Sequence, residues 1–276
     1  MKKMRPTTSG RRGMVMTDYK DLTKKKPEKS LTKSLHRKRG RSKGKITSRH
    51  RGGGFKKLYR DVDFKQNNFG EVLTVLSVEY DPYRNSFISL TQDENGIKKY
   101  ILAYEGIKIG DKMKIDQAVP IKDGNRMLLK NIPIGTFVYN IEIKPGRGGQ
   151  LARSAGAYAR VLAHDAGQTQ LTMPSSEIRL VSSEGLATVG IVSNASHREQ
   201  VVGKAGRTRL RGRRPHVRGS AMSPVSHPHG GGEGRGGIGL KGGPKTKWGK
   251  KAYGVKTRKR KKYSNKHIIQ RRKTKR

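Results

Sequence analysis

Two histidines and one carboxylate stand close together in the run His227-Pro228-His229-Gly230-Gly231-Gly232-Glu233-Gly234-Arg235. These are the residue types that bind metals or move protons. A metal site needs three or four convergent ligands, and three glycines separate the histidines from Glu233. A general base needs a pKa held near the working pH, usually by an orienting carboxylate. The residue before His227 is Ser226, which supplies no charge. His227 remains the one candidate for direct catalysis. The run reads better as a glycine-rich loop pressed against a polyanion, with His227 and His229 contacting phosphate or stacking. No metal and no cofactor are expected, and the chain is not expected to be an enzyme.

Other chemistry-bearing strings fail on context. Gly232-Glu233-Gly234-Arg235-Gly236-Gly237 approaches G-x-G-x-x-G, but no strand precedes it and no helix follows. Gly40-Arg41-Ser42-Lys43-Gly44-Lys45-Ile46 is one residue short of a P-loop and lacks the hydroxyl residue after the lysine. Gly148-Gly149-Gln150 has the tripeptide of peptide-release factors, yet it falls in a short turn between expected strands, where it reads as a close backbone approach. With no Cys there is no disulfide framework and no thiolate chemistry.

The charge points to the partner. Of 276 residues, 63 are Lys or Arg and 20 are Asp or Glu, a formal net charge of +43. Residues 1–60 hold 22 basic and 3 acidic residues, and residues 201–276 hold 25 basic residues and the single acid Glu233. The 140 residues between hold 16 of each, so all of the excess lies in two flanks. A free chain of this charge repels itself strongly, so a polyanion is the expected partner. RNA is favoured over DNA, because no helix suited to a major groove is visible and small barrels are common RNA platforms. No apolar stretch approaches a membrane span. The basic N-terminus has no apolar stretch after it, so neither a secretory signal nor a membrane partner is expected.

The elements that must hold these groups lie in the neutral middle. Leu, Ile, Val and Phe are 38 of the 140 middle residues, but only 7 of the first 60 and 10 of the last 76. The middle can bury a core, and the flanks fall below the level at which chains usually fold alone. Val72, Thr74, Leu76 and Val78 alternate with Leu73, Val75 and Ser77, and further short strands follow at Phe87 to Leu90, Lys99 to Leu102 and Gly106 to Ile115. Asp93-Glu94-Asn95-Gly96 is a hairpin signal. A second series runs through Met127 to Leu129, Phe137 to Ile143, Tyr158 to Ala163, Gln170 to Met173, Ile178 to Val181 and Val189 to Val192. The pattern predicts an all-β chain of two small barrels, with a linker at Lys122-Asp123-Gly124-Asn125. The expected division is a basic N-terminal extension over 1–60, barrels over 61–122 and 123–200, and a basic Gly-rich extension over 201–276. Neither flank shows a helical or strand period.

Gly203-Lys204-Ala205-Gly206-Arg207, Gly212-Arg213-Arg214-Pro215, Val217-Arg218-Gly219 and the histidine run closely resemble the bacterial-type large-subunit ribosomal protein L-two family. Pro6-Thr7-Thr8, Ile46-Thr47-Ser48-Arg49-His50-Arg51-Gly52-Gly53-Gly54, Glu79-Tyr80-Asp81-Pro82, Asn131-Ile132-Pro133-Ile134-Gly135-Thr136 and Gly148-Gly149-Gln150-Leu151-Ala152-Arg153-Ser154 match in order. The resemblance implies an OB-fold barrel followed by an SH3-like barrel, with extensions entering ribosomal RNA. It implies a primary binder of large-subunit rRNA of the 23S type, needed for subunit association, tRNA binding and peptide-bond formation. Implied partners are small-subunit rRNA as an intersubunit bridge, neighbouring ribosomal proteins and a nearby tRNA region, on cytoplasmic ribosomes. The match starts at Pro6, which leaves no expected room for a transit peptide. Many family members have Asn and Asp where Ser223 and Ser226 stand here, so the carboxylate that would tune His227 is missing.

Three functions compete: a structural rRNA-binding protein, a contributor to peptidyl transfer through His227, and a general nucleic-acid condenser. The last needs charge alone and no ordered barrels. Charge beside glycine marks Arg49, Arg51, Lys56, Arg147 and Arg153 as expected RNA contacts. The resemblance weighs more for Lys204, Arg207, Arg213, Arg214, Arg218, His227, His229, Arg235, Lys245 and Trp248, of which Trp248 offers a ring for base stacking.

Overall fold

A computed structural model describes residues 1–20, 22–23, 26–35, 39–232, 237–238 and 240–272. The neutral middle forms mainly β-structure. Glu71–Tyr80, Phe87–Gln92 and Lys98–Leu102 make an antiparallel meander, and Lys112–Ile115 returns to pair with the start of Glu71–Tyr80. Leu73, Val75, Ile101, Leu102, Met113 and Ile115 fill the interior of this unit, with Ile88, Leu90 and Tyr100 in an adjoining cluster. The strict alternation expected over Val72 to Val78 breaks, because the register shifts between Val75 and Ser77. A bulge inserts one residue and re-aims those after it, so Val78 is buried beside Ser77.

The second series is built from Arg126–Leu128, Phe137–Tyr139, Ala159–Asp165, Gln168–Thr172, Ile178–Ser182 and Leu186–Val189. Their inner faces bury Met127, Val138, Val161, Leu171 and Val189, with Leu129 of the following turn Leu129–Asn131 packed against them. One parallel pairing, Ile115 with Arg126, joins the two series into a continuous ladder. Two expectations shift here. The last strand is Leu186–Val189, earlier than the expected Val189 to Val192. The expected turn at Gly148-Gly149-Gln150 is in part a strand, Gly149–Leu151, paired with Ile141–Glu142.

The chain divides into two compact units: Met1–Arg37, Lys56–Lys204 and Ser264–Arg276 form one, and Lys38–Phe55 with Ala205–Tyr263 form the other. The flanks are therefore not uniform extended arms. Lys2–Lys3 pairs with Val15–Met16, Met14 is buried, and Thr32–Ser34 pairs with Leu58–Arg60. The Glu28 N–H donates to the Tyr100 hydroxyl at 2.8 Å. At the other end, Ile268–Gln270 adds a strand to the edge of Ile178–Ser182. Strands of two or three residues are too short to show a period.

Candidate nucleic-acid interface

The smaller unit collects most of the expected contacts. Arg49, Arg51, Arg207, Arg213, Arg214, Arg218, His227, His229, Lys245 and Trp248 all belong to it, although two sequence segments about 150 residues apart supply them. Backbone pairing joins the segments. Arg51 bridges to Arg213, the Arg214 N–H donates to the His50 carbonyl at 2.9 Å, and the Gly52 N–H donates to the Gly212 carbonyl at 3.0 Å. Gly54 makes this approach possible: its φ is +89°, and a Cβ there would lie 2.9 Å from the Gly212 nitrogen. The unit holds 25 Lys+Arg against the single acid Glu233, which lies outside the described residues together with Arg235. Like charges placed directly opposite on paired strands repel, and no carboxylate among the unit's described residues offsets them. Phosphate is the complement such a surface requires.

The histidine loop is packed on its own backbone. A Cβ on Gly219 would meet the His227 ring at 2.5 Å, and one on Gly230 would meet the Ser223 carbonyl oxygen at 2.4 Å. The His229 N–H donates to His227 Nδ1 at 3.0 Å, and the Lys245 N–H donates to His229 Nε2 at 2.8 Å. A neutral imidazole has one lone pair available in its plane. In both rings a backbone donor occupies it, which fixes His227 as the Nε2–H tautomer and His229 as the Nδ1–H tautomer. The rings lie 4.7 Å apart. Lost hydration, then the neighbouring His229 and Lys247 charges, push the His227 pKa below its usual value. His50 and His216 also stack, with centroids 4.4 Å apart, and His50 is lowered mainly by lost hydration.

Lys56, Arg147, Arg153 and Lys204 lie in the larger unit, apart from that cluster in the division of the chain. Arg147 is exposed on a loop anchored from inside. The buried Glu142 carboxylate accepts the N–H groups of Gly146 (3.2 Å), Gly148 (2.9 Å) and Leu186 (3.3 Å). It also faces the Arg126 guanidinium at 3.4 Å, and both side chains are essentially inaccessible. Arg126 donates in addition to the carbonyls of Gln66 and Asn140 and to the Thr188 hydroxyl. Burial lowers its pKa to about 10, so it stays charged at neutral pH. Gly149 is required by contact alone, since a Cβ there would lie 2.0 Å from Asn140 Oδ1.

Arg153 stacks over Phe64 at 4.4 Å and donates to the Gly149 carbonyl at 3.0 Å. Arg84 approaches the same ring at 5.1 Å and pairs with the buried Asp81. Burial first, and then the Arg84 charge, lower the Arg153 pKa. Both arginines line a groove of about 820 Å³ with Tyr59 and Phe64. Arg84 and Tyr59 were not among the expected contacts. The available signal was Arg84 in Asp81-Pro82-Tyr83-Arg84-Asn85, which reads first as a turn, and Tyr59 beside Arg60 in a flank with no visible period.

Comparison with protein families gives two matches. Residues 28–114 match the RNA binding N-terminal domain of ribosomal proteins L2, and residues 122–249 match their C-terminal domain. The chain belongs to the ribosomal protein L2 family. Its two barrels are accordingly an OB-fold and an SH3-like barrel, and the chain is a structural, rRNA-binding protein of the large ribosomal subunit. No helix among the described residues is long and apolar enough to cross a membrane. No group of three or more His, Asp or Glu residues among them could hold a metal ion.

Proposed function

We propose that this L2-family chain grips large-subunit rRNA chiefly through its nearly acid-free unit, and so supports subunit association, tRNA binding and peptide-bond formation as architecture. The observation behind this is the state of the two histidines. Each has its lone pair engaged by a backbone N–H, so neither accepts a substrate proton without breaking the loop. The rRNA contacts are Arg49, Arg51, Lys56, Arg147, Arg153, Lys204, Arg207, Arg213, Arg214, Arg218, His227, His229, Arg235, Lys245 and Trp248. The Arg84 and Arg153 pair adds a second rRNA contact on the barrels. Residues 61–122 and 123–200 supply the two barrels, and the sequence on either side supplies the deeper RNA contacts. Small-subunit rRNA, neighbouring ribosomal proteins and the tRNA region are the further partners, on cytoplasmic ribosomes.

His227→Ala in reconstituted ribosomes tests the role of the loop. Fully assembled particles should form peptide bonds within about tenfold of wild type, a smaller loss than the 10²–10⁴-fold typical for a missing general base. The yield of assembled particles should fall. Normal assembly with peptide-bond formation abolished would refute the architectural role.

A further inference from the structure

We propose that Trp248 and Arg49 form a stacking site for one unpaired nucleobase, in which Arg49 positions the indole. This rests on the rRNA-binding role of the smaller unit and names what one part of that unit takes. Trp248 sits at the tip of a tight hairpin. Lys245 bridges to Lys251, the Thr246 N–H donates to the Lys250 carbonyl at 2.7 Å, and the Gly249 N–H donates back to the Thr246 carbonyl at 2.9 Å. Gly249 closes the turn with φ +78°, a conformation that side-chain-bearing residues rarely adopt. The hairpin therefore holds the indole away from any apolar core, and 63% of Trp248 is exposed.

A large aromatic ring left in water at a rigid tip is an unfilled contact. One partner is already present. The Arg49 guanidinium lies over the ring at 4.7 Å, contributed by the other segment of the unit. A guanidinium covers only one face of an indole, ring surface of Trp248 stays accessible, and the proposed base takes the face opposite Arg49. A nucleobase matches that face in size, flatness and polarisability, and cation, indole and base stack as a column. The Lys247 ammonium also lies over the ring, 5.1 Å from its centroid, and adds cationic charge beside the stacked base. An aromatic side chain of a protein partner gains nothing from a surface with no carboxylate among its described residues, whereas RNA does.

Trp248 is the only tryptophan, so the intrinsic emission of the full chain reports this site alone. Titration with large-subunit rRNA should quench that emission and protect it from acrylamide. Trp248→Ala should weaken rRNA binding by about 5- to 150-fold, the usual worth of one base–aromatic stack. Its salt slope should not change, because no phosphate contact is lost. Trp248→Phe, which keeps a ring, should retain most of the affinity and guards against misfolding of the alanine variant. Arg49→Lys keeps the charge but not the plane, so rRNA should bind with reduced quenching and reduced acrylamide protection. Unchanged emission at saturating rRNA, or wild-type affinity in Trp248→Ala, would overturn the stack while leaving rRNA binding intact. Full quenching in Arg49→Lys would overturn the positioning role of Arg49. Failure of the wild-type chain to bind rRNA would instead overturn the function on which the site rests.

Discussion

His227 differs from an ordinary solvent histidine because of what surrounds its ring. Lost hydration and the neighbouring cationic groups disfavour the protonated form, so its pKa in the folded chain lies below the usual value of 6.5. The unfolded chain therefore binds a proton before the folded loop does. The sign follows: the loop keeps its full stability above pH 6.5 and loses it as the pH falls below that value. A histidine-resolved NMR titration of the full chain should show His227 titrating below 6.5, and a midpoint at or above 6.5 would contradict the packed geometry. Gly149 makes a second claim at this scale. Gly149→Ala must displace Asn140 Oδ1 or the nearby Asn140 carbonyl oxygen, and the overpacking should cost about 1–3 kcal/mol in denaturant unfolding. Gly206→Ala has nothing within 4 Å of the new methyl and lies in the short helix Ala205–Leu210, so it should be neutral or slightly stabilising. The histidine run was visible in the sequence as a tight glycine loop. The donors that occupy its lone pairs were not, because the Lys245 N–H arrives from sixteen residues away.

Among the elements, the loop bearing Arg147 depends most on a single buried interaction. Glu142 holds three backbone N–H groups and the Arg126 guanidinium at once, inside the second barrel. Glu142→Ala would leave Arg126 buried without a counter-charge, and it should destabilise the chain by about 3–5 kcal/mol in urea unfolding. A loss below 1 kcal/mol would show that the loop is held by something else. The longer strands of both barrels were legible, since their apolar residues recur at the spacing that a half-buried sheet imposes. Gly149–Leu151 was hidden because glycine and glutamine carry no strand signal, and backbone pairing with Ile141–Glu142 rather than side-chain pattern fixes the segment. Thr32–Ser34, Leu58–Arg60 and Ile268–Gln270 were hidden for another reason. Thr32–Ser34 and Leu58–Arg60 pair with each other, Ile268–Gln270 joins the edge of Ile178–Ser182, and each has too few residues to declare a period.

Across the whole molecule, charge and core are separated by segment and then regrouped in space. The neutral middle with charged flanks was plain from composition. That Lys38–Phe55 would join Ala205–Tyr263 was not, because pairing between distant glycine-rich segments leaves no local pattern. The result is one unit with 25 basic residues and one acid, and another that retains 38 Lys+Arg against 19 Asp+Glu. The salt dependence of large-subunit rRNA binding tests this division most directly. The full chain is compared with Arg51→Gln/Arg213→Gln/Arg214→Gln, and with Lys112→Gln/Lys114→Gln/Lys130→Gln on the exposed surface of the barrels. The arginine variant should lose affinity and about 2–3 units of the slope of log K against log salt, roughly 0.9 per phosphate contact removed. The lysine variant should keep nearly all of both. Equal losses in the two variants, or an unchanged slope in the arginine variant, would contradict the assignment of rRNA binding to the nearly acid-free unit.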